Sequence, residues 1–197
     1  MEKYLFMRPV LDALAEGPFI RKNLALCVRI AAAVAAMVGL VDFVNAWNFT
    51  ANLEASRIPG GILYMLLLVA AVYMAVHTLF LRARDIAALP HTEFTLIPIG
   101  AVAALMVGEA YAAVCAALSV GSGILVWFTG DYAYSLLQRV AFFLPTFEAG
   151  TFTGGILMIL RGLLRALVVL ALGHIVSELF IVVEKVGGNA RLGPPAA

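Results

Sequence analysis

The chain has 197 residues, of which 63% are hydrophobic and 13% are charged. Soluble domains carry about 25% charged residues, so the composition excludes a soluble globular protein and predicts an all-α polytopic membrane protein. The formal net charge of +1 leaves no basic face for nucleic acid, and the chain carries no Walker, GxGxxG, HExxH or GxSxG motif.

Residues 1–23 are predicted to form a cytoplasmic interfacial segment. Arg8-Pro9 opens a short helical pattern that ends at Gly17, and an amphipathic helix of this kind lies along a membrane surface. Its apolar side comprises Val10, Leu11 and Leu14. The first apolar stretch begins late and carries Arg29, so we expect it to remain as a helix and not to be removed as a signal peptide.

Four stretches are long and apolar enough to cross a bilayer, which takes about 20 residues of helix. The predicted spans are Leu24–Trp47, Ile62–Leu81, Leu96–Val120 and Ile156–Val183. Their connections are short, which favours an up-down four-helix bundle over residues 24–183, with short interfacial amphipathic helices. Residues 184–197 are predicted to be a cytoplasmic tail.

The basic residues predict the orientation, because cytoplasmic segments carry an excess of Lys and Arg. With both termini inside, nine lie in or beside cytoplasmic segments: Lys3, Arg8, Arg21, Lys22, Arg29, Arg82, Arg84, Lys185 and Arg191. Four lie toward the other side: Arg57, Arg139, Arg161 and Arg165. We therefore expect a cytoplasmic N-terminus and C-terminus, in what the composition suggests is a bacterial inner membrane.

The connections carry further signals. The loop Asn48–Gly61 ends in a Pro-Gly-Gly turn, and Gly121-Ser122-Gly123 is predicted to end the third span. Residues 121–155 are predicted to hold an amphipathic helix along the outer surface, with a re-entrant hairpin or a partner-docking surface as the alternatives. Its apolar side would be Ala133, Leu136, Leu137, Val140 and Leu144, and its polar side Ser135, Gln138 and Arg139.

Several ionisable residues fall inside the predicted spans, where a charge costs roughly 2.5–3.5 kcal/mol and suggests a partner or a role. These candidates for an intramembrane polar network are Arg29, Asp42, His77, Glu109, Arg165, His174 and Glu178. Counted at about 1.5 Å per residue, Asp42 matches Arg165 in depth and Arg29 matches Glu178. Both pairings require the first and fourth spans to be neighbours, and snorkelling of the arginines is the alternative.

Glu109 lies near mid-membrane in the third span, about 20 Å from its cytoplasmic end. A buried carboxylic acid can donate a hydrogen bond to a facing helix and hold two helices together. Proton carriage, a grip on a ligand, or a contact to another subunit are the alternatives.

His77 and His174 come from two spans that run in the same direction, and two histidines can ligate a haem b. The plainer interpretation is a pair of interfacial histidines, and no cofactor or metal is expected. Cys27 and Cys115 have no metal-binding spacing and are predicted to be buried, unpaired apolar residues.

Small residues recur at every fourth position of the third span: Gly100, Ala104, Gly108, Ala112 and Ala116. This packing ridge permits close approach of another helix. The sequence leaves open whether that helix is a neighbouring span or belongs to a second copy.

These features predict a non-enzymatic integral membrane subunit that scaffolds, anchors or assembles a larger membrane complex or a homo-oligomer. Its partners would be membrane lipids and other membrane subunits. Proton or ion conduction through Glu109 is one alternative, and a haem-b electron carrier is another.

Overall fold

The computed structural model describes residues 17–89, 96–144 and 151–191, and over these ranges it confirms an all-α fold built on four long helices. They are α1 (Gly17–Ala51), α2 (Ile58–Ala88), α3 (Leu96–Thr129) and α4 (Phe152–Arg191). All four are long and apolar enough to span a bilayer, so the chain is an integral membrane protein. The short helix predicted within residues 1–16 lies outside the described residues, as does the end of the predicted tail.

The third helix continues through the glycines that were predicted to end it. Gly121-Ser122-Gly123 lies inside α3, which continues beyond Gly123 and ends at Thr129. A Cβ on Gly123 would stand 2.8 Å from the carbonyl oxygen of Gly155 in α4. A glycine costs a helix interior only about 1 kcal/mol, so close packing of α3 against α4 outweighs the helix-breaking tendency.

The loop between the first two helices is shorter than predicted. α2 begins at Ile58, so Pro59 falls in its first turn, where the missing N–H costs nothing. The two glycines that follow allow close contacts to both neighbouring helices. Gly60 lies against Phe128 of α3, and Gly61 lies against Thr50 of α1.

Each long helix packs antiparallel against the next one in the chain, which gives a row in the order α1, α2, α3, α4. At the cytoplasmic end of the predicted topology, Val28 of α1 packs in one apolar cluster with Ala83 of α2 and Ile99 of α3. Within the described part of the chain, α1 and α4 make no extended contact. The row is therefore open, with α1 and α4 at its two ends.

The predicted packing ridge of α3 faces α4. A Cβ on Gly173 of α4 would stand 3.0 Å from the Cα of Gly108 and 3.0 Å from the carbonyl oxygen of Ala104. Further along, Ala112 and Ala116 pack in a small cluster with Ala166 of α4, and Gly100 lies against Phe180. The ridge thus serves a contact inside the chain, and it is not available to a second copy.

Residues 130–144, here called the return segment, form a broken helix. It consists of a 3-10 turn Gly130–Ala133, one α-helical turn Tyr134–Leu137 and a second 3-10 turn Gln138–Val140. The five predicted apolar positions are all buried, and the three predicted polar positions are all exposed. Periodicity therefore identified the packed side of this segment correctly.

The direction of the return segment differs from that of the predicted surface helix. The thiol of Cys115 donates a hydrogen bond to the carbonyl of Phe143 at 2.8 Å. Cys115 lies about 21 Å below Thr129 at the end of α3, at 1.5 Å per residue. The segment therefore runs back along α3, and its buried side chains fill the groove that α1, α2 and α3 leave on one side of the row.

Candidate functional site

A cluster of three charged side chains joins α2 to α3. The Arg82 guanidinium donates to both carboxylate oxygens of Glu109, with its Nε 2.9 Å from Oε2. It also donates from Nη1 to Asp85 Oδ2 at 3.0 Å. Such two-pronged pairs are stronger and more directional than single hydrogen bonds. Arg82 thus lies between two carboxylates, one on its own helix and one on the neighbouring helix.

This charged cluster borders a cavity of about 250 Å³. Thr78, Leu81, Arg82, Asp85 and Glu109 line it. The Arg82 and Glu109 side chains are partly buried, whereas Asp85 is the most exposed of the three. The Arg82–Glu109 pair can therefore hold α2 and α3 in register, while the Asp85 carboxylate remains partly exposed at the edge of the cluster.

Sequence reasoning found Glu109 but missed its partner. The predicted second span ends at Leu81, so Arg82 was assigned to the cytoplasmic flank and Asp85 received no role. α2 in fact continues to Ala88, which keeps Arg82 on the helix face toward α3. The spacing of three residues between Arg82 and Asp85, typical of a helical ion pair, was the signal that α2 extends this far.

A second polar group surrounds the tip of the return segment. Arg165 of α4 donates to the carbonyl oxygen of Leu144 at 3.3 Å and lies over the Tyr111 ring, with Cζ 5.7 Å from its centroid. Tyr111 also contacts the Phe142 and Phe143 rings. Arg165 therefore fastens the return segment to α4.

Asp42 lines a separate, mainly apolar cavity of about 230 Å³ on the same side of the row. α1, α2 and α3 form most of its wall, and the return segment closes it with Val140 and Phe143. The exposed side chain of Arg139 is near enough to attract the Asp42 carboxylate electrostatically. The tip of the return segment and this cavity lie at the level of Val114 to Leu118 in α3.

The two ion pairs predicted between the first and fourth spans do not form within this chain. Among the described residues, Arg29 has no hydrogen-bonded or ionic partner, and Asp42 does not contact Arg165. The reason is the open row, because α2 and α3 stand between α1 and α4. Similar depth along the membrane normal does not determine which helices are neighbours.

The two histidines also remain apart. His77 is exposed on α2 and stacks on Tyr73, with ring centroids 5.6 Å apart. His174 is exposed on α4, and α3 lies between these two helices. This arrangement does not form the predicted haem-ligand alternative, and the described ranges contain no group of three or more residues able to hold a metal ion.

Three ionisable residues project outward at nearly one level of the row. Gly173 packs on Gly108, which places His174 at the level of Glu109. Arg29 follows Val28, which packs in the same cluster as Ala83 beside Arg82. Glu178 lies one helical turn nearer the C-terminal end of α4 than His174. All three are exposed, and none has a partner within the described residues.

The cysteines differ from each other. Cys115 is fully buried, as predicted, and its thiol also approaches the carbonyl of Gly162 in α4. Cys27 was predicted to be buried but is exposed on α1, because none of the described helices covers that face of α1. Comparison with known proteins gave no matching family model, no similar curated protein and no similar solved structure.

Proposed function

We propose that the protein is a non-enzymatic integral membrane subunit that assembles with other membrane chains through the exposed side of α4. The observation that carries this proposal is the pair His174 and Glu178. They lie one turn apart on a helix face that is otherwise apolar and exposed.

Ionisable side chains inside a membrane almost always face a bundle interior or a water-filled cavity, because lipid cannot solvate them. His174 is level with the Arg82–Glu109 pair, yet it points away from the row. A second protein surface over this face would supply the missing polar contacts. Hydrogen bonds of that kind hold membrane helices together.

The internal polar groups support a structural role and not a catalytic one. Arg82 holds Glu109 and Asp85, Arg165 holds the return segment, and the Thr50 and Thr129 hydroxyls donate to carbonyls of their own helices. The two arginines are thus engaged in contacts between elements of the row, and the two threonines in contacts within single helices.

The test is the mass of the protein extracted with its native lipids in polymer nanodiscs. We expect a homo-oligomer or a larger complex, and we expect the combined change His174→Ala and Glu178→Ala to release the single chain. Glu54→Ala is the matched control, since Glu54 is an exposed carboxylate in the loop between α1 and α2. A wild-type chain that is monomeric at native density contradicts the proposal.

The proposed location is a bacterial inner membrane with both termini in the cytoplasm. The support is the clustering of Arg21, Lys22, Arg84 and Lys185 at one end of the row, where the positive-inside rule expects them. A fluorescent protein fused to the C-terminus should fold and fluoresce in the cytoplasm. A dark fusion, together with an active periplasmic reporter at the same position, would reverse the orientation.

A second candidate function is proton passage through Glu109, and the cavity beside the Arg82–Glu109 pair is the observation that favours it. In proteoliposomes, Glu109→Gln should then abolish a proton flux that the parent protein shows. Absence of flux in the parent, or equal flux in both proteins, excludes this candidate.

A further inference from the structure

The cavity lined by Asp42 opens beside α1 and has the composition of a small-molecule site. Its volume is about 230 Å³, and Asp42 is the only polar residue among the described residues that line it. Val38 lines the same cavity and is 55% exposed. Because Val38 lies within a helix long and apolar enough to span the membrane, the mouth of the cavity faces the surrounding lipid.

Close packing fixes the other walls of this cavity. Gly39 of α1 lies directly against Val72 of α2, with no room for a Cβ between them. The return segment closes a further side with Val140 and Phe143, and the Cys115 thiol holds the Phe143 carbonyl at 2.8 Å. The cavity is therefore largely preformed, as ligand sites usually are.

The Asp42 carboxylate has no hydrogen bond and no ion pair within the described part of the chain. Arg139 attracts it from the return segment, but the Arg139 side chain is exposed and lies beyond ion-pair distance. A carboxylate in apolar surroundings is costly unless a positive group pairs with it. A cation inside the cavity would supply that contact.

The size of the cavity limits the body of a ligand. An apolar cavity of about 150 Å³ holds one benzene molecule, so 230 Å³ has room for roughly nine carbon atoms by the same ratio. That volume is too small for a whole phospholipid and suits a compact hydrocarbon body. Because the mouth faces lipid, the ligand must itself dissolve in the membrane.

We propose that this cavity binds a lipophilic amine, whose hydrocarbon body fills the cavity and whose ammonium group donates to the Asp42 carboxylate. A neutral molecule of the same shape gains only the apolar contacts. The positive charge of Arg139 opposes binding of the ammonium group. The site lies away from the exposed face of α4, so this inference goes beyond the assembly role and does not depend on it.

Two probes of the same shape test the proposal. They are 1-adamantylamine and 1-adamantanol, which carry an ammonium and a hydroxyl group on one hydrocarbon cage. Equilibrium dialysis of each tritiated probe against the protein in nanodiscs, with empty nanodiscs subtracted, measures binding. We expect one saturable amine site per chain, with an affinity roughly tenfold or more above that for the alcohol. Amine binding that does not exceed the lipid background, or equal affinity for the two probes, overturns the proposal.

Two charge variants test the assigned contact. Asp42→Asn keeps the shape of the side chain and should remove the preference for the amine. Alcohol binding should remain, which also shows that the variant folds. Arg139→Gln removes the opposing charge and should tighten amine binding by roughly two- to fivefold. A preference for the amine that survives in Asp42→Asn, or weaker amine binding in Arg139→Gln, contradicts the contact with Asp42.

A change in cavity volume tests the location independently. Ala35 lines the cavity from α1, so Ala35→Leu should abolish binding of both probes. Ala33→Leu is the matched control, because Ala33 is exposed on the same helix and is not a lining residue. Amine binding that persists in Ala35→Leu, or that is lost equally in Ala33→Leu, would show that the amine binds elsewhere.

Discussion

The close backbone contact between Gly173 of α4 and Gly108 of α3 allows a quantitative prediction. Gly173→Ala adds a Cβ 3.0 Å from the Gly108 Cα and 3.0 Å from the Ala104 carbonyl oxygen. Both neighbours are backbone atoms, so the helices must separate. Overpacking of this kind costs typically 1–3 kcal/mol, of which the better helix propensity of alanine returns about 1 kcal/mol. We expect a net loss of roughly 0–2 kcal/mol in unfolding free energy.

Gly100→Ala is the matched control on the same interface. Its Cβ would lie 3.1 Å from the ring of Phe180. Because Phe180 is partly exposed, its ring can rotate away from the new methyl group. This change should be neutral, or stabilising by up to about 1 kcal/mol through helix propensity. Unfolding in mixed micelles, followed by circular dichroism and by the fluorescence of Trp127 at the α3–α4 contact, measures both variants. Greater stability of Gly173→Ala than of Gly100→Ala would refute the packing described.

Two further pairs of changes test the charged cluster and the return segment. Arg82→Met and Glu109→Gln should each lower the unfolding free energy by about 1.5–3 kcal/mol, the range for hydrogen bonds to charged groups. The two losses should be strongly non-additive in a double-mutant cycle, and additive losses would show that the pair is not coupled. Leu137→Ala, at a buried position of the return segment, should lower the unfolding free energy by about 2–5 kcal/mol and expose the segment to protease. Phe142→Ala, at a position 74% exposed, should change protease cleavage and stability little. Equal cleavage of the two variants would contradict the burial pattern.

Local sequence pattern predicted the parts of the fold that local physics controls. Four apolar stretches gave the four helices, and helical spacing identified the buried side of the return segment. The ridge around Gly108 was recognised as a helix contact for the same reason, since small residues every fourth position lie on one face. Such properties depend on neighbours three or four residues apart, which the sequence displays directly.

The helix ends were harder to predict, because in a membrane protein a helix continues wherever packing permits. Gly121-Ser122-Gly123 and Pro59 signal breaks in a soluble chain, but here they lie within helices that pack closely through them. The same error placed Arg82 outside the second span and so concealed the partner of Glu109. Hydropathy reports where lipid begins, and it does not report where the helix stops.

The neighbours of each helix were not predictable from depth. Asp42 and Arg165 were predicted to lie at the same depth, and a closed bundle would have brought them together. Whether four helices close into a ring or remain a row depends on which faces pack most tightly. The return segment takes the groove beside α1, α2 and α3, and α4 packs on the ridge of α3. The sequence pattern does not show which of these alternative packing contacts is the more stable.

The central question is whether protein or lipid covers the exposed face of α4. A photo-reactive amino acid at position 174, activated in intact native membranes, answers it directly, with position 138 on the exposed side of the return segment as the reference. We predict that position 174 yields protein adducts well above the reference. Adducts to lipid alone at position 174 would contradict the assembly role.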